Sequence, residues 1–96
     1  MTLIYSLLNK LGLKETEIDS MMEINKELRE CDPENVYSNL VLVSKAGFPD
    51  DELGWLAYNN PKFLTYSKET LKNKIDDVCN EFDDFEEALK ENPNAI

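Results

Sequence analysis

Apolar residues recur along this chain at helical spacing, in short runs separated by glycine, proline and capping residues. Side chains three or four positions apart share one face of a helix, so this pattern predicts a series of short helices with almost no strand. Thr2 is placed to cap a first helix, and Gly12 is placed to end it. The face of this helix that turns towards the core would consist of Leu3, Leu7, Leu8 and Leu11.

Capping residues and prolines mark where the next helices begin. A second helix opens at Glu15 or Thr16. A third opens at Asp32, an N-cap followed by proline at the first helical position, where the missing N–H costs nothing. Gly47 ends this third helix. The core-facing residues would be Ile18, Met21, Met22 and Leu28 in the second helix and Val36, Leu40 and Val43 in the third.

Three more helices are predicted in the second half of the chain. Residues 49–52 place acids at the positive end of a fourth helix, which must end near Asn59 because Pro61 disfavours helical geometry in the residue before it. Ser67 caps a fifth helix, and a short last helix covers about residues 84–91. The core-facing residues would be Leu53, Leu56 and Ala57 in the fourth helix and Leu71, Ile75, Val78 and Phe82 in the fifth. The sequence therefore predicts an all-α domain of five to six short helices.

The whole pattern recurs at an offset of 35 residues. The matches pair Lys10 with Lys45, Gly12 with Gly47, Leu13 with Phe48, Glu17 with Glu52, Ile18 with Leu53, Met21 with Leu56, Asn25 with Asn60 and Val43 with Val78. A degenerate third copy follows at an offset of 32, where Phe85 matches Leu53 and Ala88 matches Leu56. Such periods are typical of stacked supersecondary units. We expect a single domain, a short α-solenoid of two to three stacked repeats, with copies at about 7–41 and 42–78 and an acidic cap at about 79–96.

The second copy contains a glycine-led turn at Gly47-Phe48, an acidic helix start at residues 50–52, and the segment Asn60-Pro61-Lys62-Phe63-Leu64. In this order the motifs resemble the repeat of the mitochondrial transcription termination factor (mTERF) family. The resemblance covers residues 42–78 well, 7–41 loosely and 82–96 in part. It implies two helices and a 3₁₀ turn per repeat, stacked into a curved solenoid.

Two features of the chain depart from that family. The first copy has Asn25-Lys26 where the repeat has Asn-Pro, and the acidic composition contrasts with the basic nucleic-acid surfaces of the family. We therefore carry over the architecture and not the DNA-binding activity. Residues 46–49 also resemble the first loop of ubiquitin-associated domains, but those domains are about half this length and lack the repeat.

The net charge is −10, and it is concentrated near the C-terminal end. Residues 76–91 contain eight acids and one base, Lys90, which gives −7. This balance opposes binding to nucleic acid, because phosphate contacts depend on lysine and arginine. The acidic segment either attracts a protein partner of basic character or serves only as a solvated face that keeps a small protein soluble. One alternative is that the chain is an acidic mimic of nucleic acid that inhibits a DNA- or RNA-binding protein.

Histidine, the commonest general base and the commonest metal ligand, is missing from the sequence. The chain has no histidine, only three glycines and no glycine-rich phosphate loop, so we expect neither an enzyme nor a bound metal or cofactor. Cys31 and Cys79 are expected to be buried apolar residues rather than a disulfide pair. No signal peptide and no apolar run of roughly 20 residues is present, which predicts a cytoplasmic protein that does not enter membranes.

The positions at which the two repeat copies differ indicate candidate binding residues. Trp55 replaces Ser20 and Tyr58 replaces Glu23, and residues three apart share a helical face, so this face is expected to look outward. The alternative is that Trp55 covers the end of the solenoid core or packs under the N-terminal helix. Together with acids from the tail, these aromatic residues are the candidate protein-binding residues: Trp55, Tyr58, Asp83, Asp84, Glu86 and Glu87. The second alternative is weak nucleic-acid binding through Lys62, Lys68, Lys72 and Lys74, although these lysines are expected to pair with Asp76 or the acidic tail.

Overall fold

The computed structural model describes residues 3–96, which form seven α-helices, three short 3₁₀ turns and no strand. The α-helices are α1 (Leu3–Lys10), α2 (Glu15–Ile24), α3 (Glu27–Glu30), α4 (Pro33–Lys45), α5 (Leu53–Asn59), α6 (Lys68–Glu81) and α7 (Phe85–Glu91). The 3₁₀ turns cover Asp50–Glu52, Pro61–Thr65 and Pro93–Ala95. The all-α prediction is confirmed, but the helix count exceeds five to six because the second predicted helix divides into α2 and α3. Thr2, the predicted cap of the first helix, lies outside the described residues.

The order of the elements recurs at the two offsets that the sequence shows. A shift of 35 residues carries α2 onto residues 50–59, which hold a 3₁₀ turn and α5, and carries α4 onto residues 68–80 of α6. A shift of 32 residues carries α5 onto α7. Within residues 3–96, no helix has both the length and the apolar character that crossing a membrane requires.

Two glycines end helices at equivalent positions, as predicted. Gly12 and Gly47 have φ angles of 96° and 123°, which side-chain-bearing residues rarely adopt. In each turn the following residue donates its N–H back across the helix end, from Leu13 to the Leu8 carbonyl and from Phe48 to the Val43 carbonyl, both at 3.3 Å. These bonds satisfy carbonyl groups that the helix end would otherwise leave free.

The first repeat copy is interrupted even though it lacks the proline of the second. α2 ends at Ile24, and its C-cap Asn25 leaves helical geometry with φ −117° and ψ 81°. Asn60, the equivalent residue before Pro61, has φ −143° and ψ 71°. The backbone at the asparagine therefore breaks both copies in a similar way, and this break places Leu28 on α3 rather than at the end of α2.

Helix α4 lies at the centre of the fold and packs against both α1 and α6. It begins as predicted, with the Asp32 side chain accepting a hydrogen bond from the Glu34 N–H at 3.0 Å. Its buried face includes a polar residue that the sequence analysis missed, Asn39, whose Nδ2 donates to the carbonyls of Phe63 and Tyr66 at 2.9 Å each. This amide fastens α4 to the 3₁₀ turn at Pro61–Thr65.

Two apolar residues assigned to the core are exposed. In α1, Ile4 and Leu8 are buried, Leu7 is half-buried and Leu3 is 69% exposed; Leu11, just beyond the helix, is half-buried. The short α1 carries two overlapping apolar stripes, and the stripe containing Ile4 faces the core. Phe82 is 45% exposed because α6 ends at Glu81 and the extended backbone of Phe82 turns its side chain away from the helix face.

The prediction that both cysteines are buried is wrong. Cys31 is half-buried and Cys79 is exposed on α6, and both are free thiols. Cys79 follows the buried Val78, so it occupies the neighbouring, solvent-facing side of the helix. The other core residues predicted in α2, α4, α5 and α6, Phe82 aside, are buried.

Candidate protein-binding surface

Trp55 and Tyr58 lie on the exposed side of α5, as the comparison of the repeat copies predicts. Their side chains are 42% and 46% exposed. The equivalent residues of α2, Ser20 and Glu23, are exposed as well. The outward orientation is therefore confirmed, whereas the role of these residues in binding stays a prediction.

The opposite side of α5 fixes the position of this aromatic pair. Leu53, Leu56 and Ala57 are buried in the core. A Cβ atom added at Gly54 would lie 2.5 Å from the backbone oxygen of Leu11, so α5 approaches the C-terminal end of α1 as closely as only glycine permits. The helix therefore holds Trp55 and Tyr58 on a rigid support rather than on a loop.

A shallow groove of about 260 Å³ runs beside the two aromatic rings. Its lining comes from the turn between α1 and α2, from the first turn of α2 and from α5. It consists of Leu11, Gly12, Leu13, Glu17, Gly54, Trp55, Tyr58 and Asn59. The Asn59 side chain donates to the Trp55 carbonyl at 2.8 Å and closes the end of α5. The groove lining combines apolar side chains, two aromatic residues, one carboxylate and one amide.

The four predicted acids lie elsewhere. None of Asp83, Asp84, Glu86 and Glu87 lines the groove beside Trp55. Asp84 caps α7 by accepting from the Glu87 N–H at 3.2 Å, and Glu86 pairs with Lys90 at 2.7 Å. Two of the four acids therefore have roles within the fold, and the structure does not join the acidic residues to the aromatic pair in one site.

Lys90 connects the C-terminal helix to the start of the second repeat copy. Its Nζ lies 2.7 Å from carboxylate oxygens of both Glu52 and Glu86. These hydrogen-bonded carboxylates raise the pKa of Lys90 well above its usual value, the bond to Glu52 contributing most. The only base of residues 76–91 is therefore engaged within the molecule.

The predicted pairing of the lysines with acids is wrong. Lys62, Lys68 and Lys72 are exposed, and no salt bridge involving them occurs among residues 3–96. Lys74 is half-buried, with its Nζ 5.3 Å from the centre of the Tyr66 ring. Three of the four lysines are thus free to meet solvent or a ligand.

Sequence reasoning missed the groove residues contributed by the turn between α1 and α2. The pattern predicts a core-facing position for Leu11, it gives Leu13 only as the repeat match of Phe48, and it assigns no role to Gly54. A glycine within a short helix, next to an exposed tryptophan, is the signal that points to close packing at this position. The identity of the neighbouring segment, however, depends on the tertiary fold.

Comparison with known families identifies the family of this chain. The mTERF family model matches residues 2–95, almost the entire chain, and proteins of this family are typically associated with nucleic acids. No curated protein and no solved structure matches the chain. Because the match covers both repeat copies, the α7 segment and the asparagine breaks described above, the chain belongs to the mTERF family.

Proposed function

We propose that this chain is a non-enzymatic protein-interaction module in which Trp55 and Tyr58 anchor the partner. The observation that carries the proposal is the exposure of these two rings on one side of α5, where the first repeat copy has polar residues. Exposed tryptophan and tyrosine are the residue types most often found as anchors of interfaces. Such a surface is compatible with a regulatory role, because a protein can regulate its partner by binding to it, without catalysing a reaction.

The physical basis of binding would be removal of the two rings from water. Burying the exposed part of either ring is worth on the order of 2 kcal/mol, at about 25 cal/mol per Å² of apolar surface. The polar tips, the indole N–H and the phenol hydroxyl, can donate hydrogen bonds to the partner. Little ordering is needed on this side of the interface because α5 is already fixed by Gly54 and its buried residues.

The repeated elements support a short α-solenoid as the scaffold of this surface. We infer that α2, α5 and α7 are equivalent helices of successive units, and that α4 and α6 are the second helices of two of those units. The contacts of α4 with α6 and of α2 with α5 support this arrangement. In such stacks each unit contacts mainly its neighbours, so differences between units mark the surface used for binding.

Quantitative affinity capture from cells of the source organism tests the proposed function. Three baits are compared: the original chain, the double variant Trp55→Ala/Tyr58→Ala, and the control Tyr37→Ala, which removes a tyrosine that is 58% exposed on α4. We expect one set of proteins to be recovered with the original chain and the control and to be depleted about tenfold or more with the double variant. Equal recovery with all three baits would contradict the proposal.

Direct nucleic-acid binding is the second candidate function. It is favoured by the family match and by the exposed, unpaired Lys62, Lys68 and Lys72. It is opposed by the net charge of −10.

Fluorescence anisotropy with labelled single- and double-stranded oligonucleotides at low salt separates the two candidates. Direct binding predicts a complex that Lys68→Ala/Lys72→Ala weakens and that Lys10→Ala/Lys14→Ala leaves unchanged. The salt slope of binding would also fall by about two with the first pair, because each lysine releases roughly one counterion. The absence of any complex at low salt would remove this candidate.

The acidic mimic remains an alternative that rests on the −7 of residues 76–91. Asp83 and Glu87 are its best test, since Asp84 and Glu86 have structural roles. If the chain inhibits a nucleic-acid-binding protein, Asp83→Asn/Glu87→Gln should weaken that complex and reduce its salt dependence. The control Glu23→Gln/Glu27→Gln removes the same charge from α2 and α3, and an equal loss with both pairs would exclude a localised mimic.

A further inference from the structure

A second groove, separate from the Trp55 surface, lies between α6 and the segment formed by α7 and the last 3₁₀ turn. It has a volume of about 360 Å³. It is lined by Asp77, Val78, Glu81, Phe82, Ala88, Glu91, Asn92 and Ala95. Val78 and Ala88 are buried and form its floor with the half-buried Ala95.

The exposed ring of Phe82 belongs to this groove because of the way α6 ends. The helix stops at Glu81, and the Phe82 N–H donates to the Val78 carbonyl at 2.9 Å while its own backbone is extended. The ring leaves the core-facing stripe and borders the groove with 45% of its surface exposed. An aromatic side chain in this position offers a contact for an apolar side chain entering from outside.

The charge around this apolar floor is entirely negative. Asp77, Glu81 and Glu91 line the groove, and no lysine or arginine among the described residues does so. Lys90, the only base of residues 76–91, points its ammonium group to Glu52 and Glu86 instead. Among residues 3–96, none of the three carboxylates forms a salt bridge.

The arrangement of the carboxylates does not suit a metal ion. Among residues 3–96, no group of three acidic or other ligating side chains is positioned to hold one. The acids and Asn92 instead surround a small patch of carbon, whose exposed part comes mainly from Phe82 because Val78 and Ala88 are buried. This combination of an apolar floor and a charged rim is complementary to a ligand that is apolar on one side and basic on the other.

We propose that the groove between α6 and α7 binds a basic amphipathic helical segment of a protein partner. One apolar side chain of that segment packs on Val78, Phe82 and Ala88, and its lysine or arginine residues pair with Asp77, Glu81 and Glu91. Both contributions are required, since exposed ion pairs alone contribute little, and helix-in-groove recognition relies on apolar anchors at helical spacing. This site is independent of Trp55 and Tyr58 and does not rest on their proposed role.

A defined peptide tests the proposal without knowledge of the natural partner. The probe is a fluorescein-labelled helical peptide with leucines at positions i, i+3, i+4 and i+7 and lysines on its other face. A peptide of the same composition in scrambled order and a version with glutamate in place of lysine are the controls. We expect anisotropy to show binding of the first peptide only, with amide shifts in a ¹⁵N spectrum confined to residues around Val78, Phe82 and Ala88.

Two variants separate the proposed site from general attraction between opposite charges. Phe82→Ala should weaken binding about tenfold, the loss of one aromatic anchor, and Asp77→Asn/Glu81→Gln/Glu91→Gln should weaken it further and flatten its salt dependence. Glu23→Gln/Glu27→Gln/Glu30→Gln removes the same charge elsewhere and should change binding by no more than about twofold. Each variant is checked by circular dichroism for an unchanged fold.

Three results would overturn the proposal. They are equal binding of the ordered and scrambled peptides, equal loss with the two triple variants, and amide shifts that lie outside the groove. A fourth concerns the occupant: if sedimentation shows that the chain alone self-associates and that Phe82→Ala abolishes this, the groove binds a second copy instead. None of these results depends on Trp55 or Tyr58, so they leave the Trp55 proposal as it stands.

Discussion

At the scale of single residues, the candidate surface depends on positions where a small change in side chain has a large consequence. Gly54 lets α5 approach the Leu11 carbonyl, and without that approach Trp55 and Tyr58 would not border the groove. Asn59, bonded to the Trp55 carbonyl, closes the helix behind them. The two residues shape the site without belonging to its aromatic pair.

Gly54→Ala should destabilise the protein although alanine is the better helix former. The added methyl group would lie 2.5 Å from the Leu11 oxygen, and relieving this overlap costs about 1–3 kcal/mol. The gain in helix propensity offsets up to about 1 kcal/mol of this loss. Urea unfolding followed by circular dichroism measures the difference, with the exposed Asn73→Ala in α6 as control. A stability above that of the original chain would contradict the close approach.

The two thiols should differ in reactivity. The pKa of Cys31 is raised, chiefly by burial and further by Glu27 and Glu30, and its Sγ donates to the Glu27 carbonyl at 3.3 Å. A raised pKa leaves less of the reactive thiolate at mildly alkaline pH. We therefore expect iodoacetamide to alkylate the exposed Cys79 faster than Cys31. The difference between the two rates should decrease as the pH rises. Mass spectrometry of the digested protein measures both rates, and faster modification of Cys31 would contradict the described burial.

At the scale of elements, the sequence predicts correctly where several helices begin and end. It does not predict those features that depend on how the helices pack against one another. Gly12, Gly47, Asp32 and Ser67 end or begin helices as predicted, because each acts on its own backbone or on that of the next turn. The core-facing stripe of α1 and the outward turn of Phe82 depend instead on which neighbours each element meets. The groove beside Trp55 also depends on tertiary packing, since its lining includes residues more than 40 positions apart in the sequence.

Substitution of Asn39 tests how much its hydrogen bonds between α4 and residues 63–66 contribute to stability. Asn39→Leu keeps the size of the side chain but leaves the buried Phe63 carbonyl without its 2.9 Å bond, so we expect a loss of about 1–3 kcal/mol in the free energy of unfolding. Asn35→Leu is the matched control, because Asn35 bonds only the Tyr66 carbonyl, which Asn39 also serves. An equal effect of the two substitutions would contradict the distinct role of Asn39.

At the scale of the whole molecule, charge dominates. A net charge of −10 is carried by a molecule of 39 × 23 × 21 Å, and residues 76–91 contribute most of it. The ion pairs of Lys90 relieve part of the repulsion between α7 and the start of the second repeat copy. The remaining acids are available to attract a basic partner, and they also repel one another across the fold.

Salt should therefore stabilise the protein rather than weaken it. At about 0.01 M ionic strength the screening length is roughly 30 Å, comparable to the molecule, so its acids repel one another; near 1 M it is about 3 Å. Screening this self-repulsion outweighs the weakening of the two Lys90 ion pairs. We expect the midpoint of thermal unfolding to rise with sodium chloride, as measured by circular dichroism. A midpoint that falls with salt would show that ion pairs dominate.

The central claim is that the Trp55 and Tyr58 side of α5 contacts a protein partner. Placing a photoreactive phenylalanine analogue at position 58, in cells of the source organism, tests it most directly, with position 37 on α4 as the matched site. We predict a discrete adduct with another protein from position 58, which Trp55→Ala removes, and no such adduct from position 37. An absence of protein adducts at position 58, or an adduct that persists after Trp55→Ala, would contradict the claim.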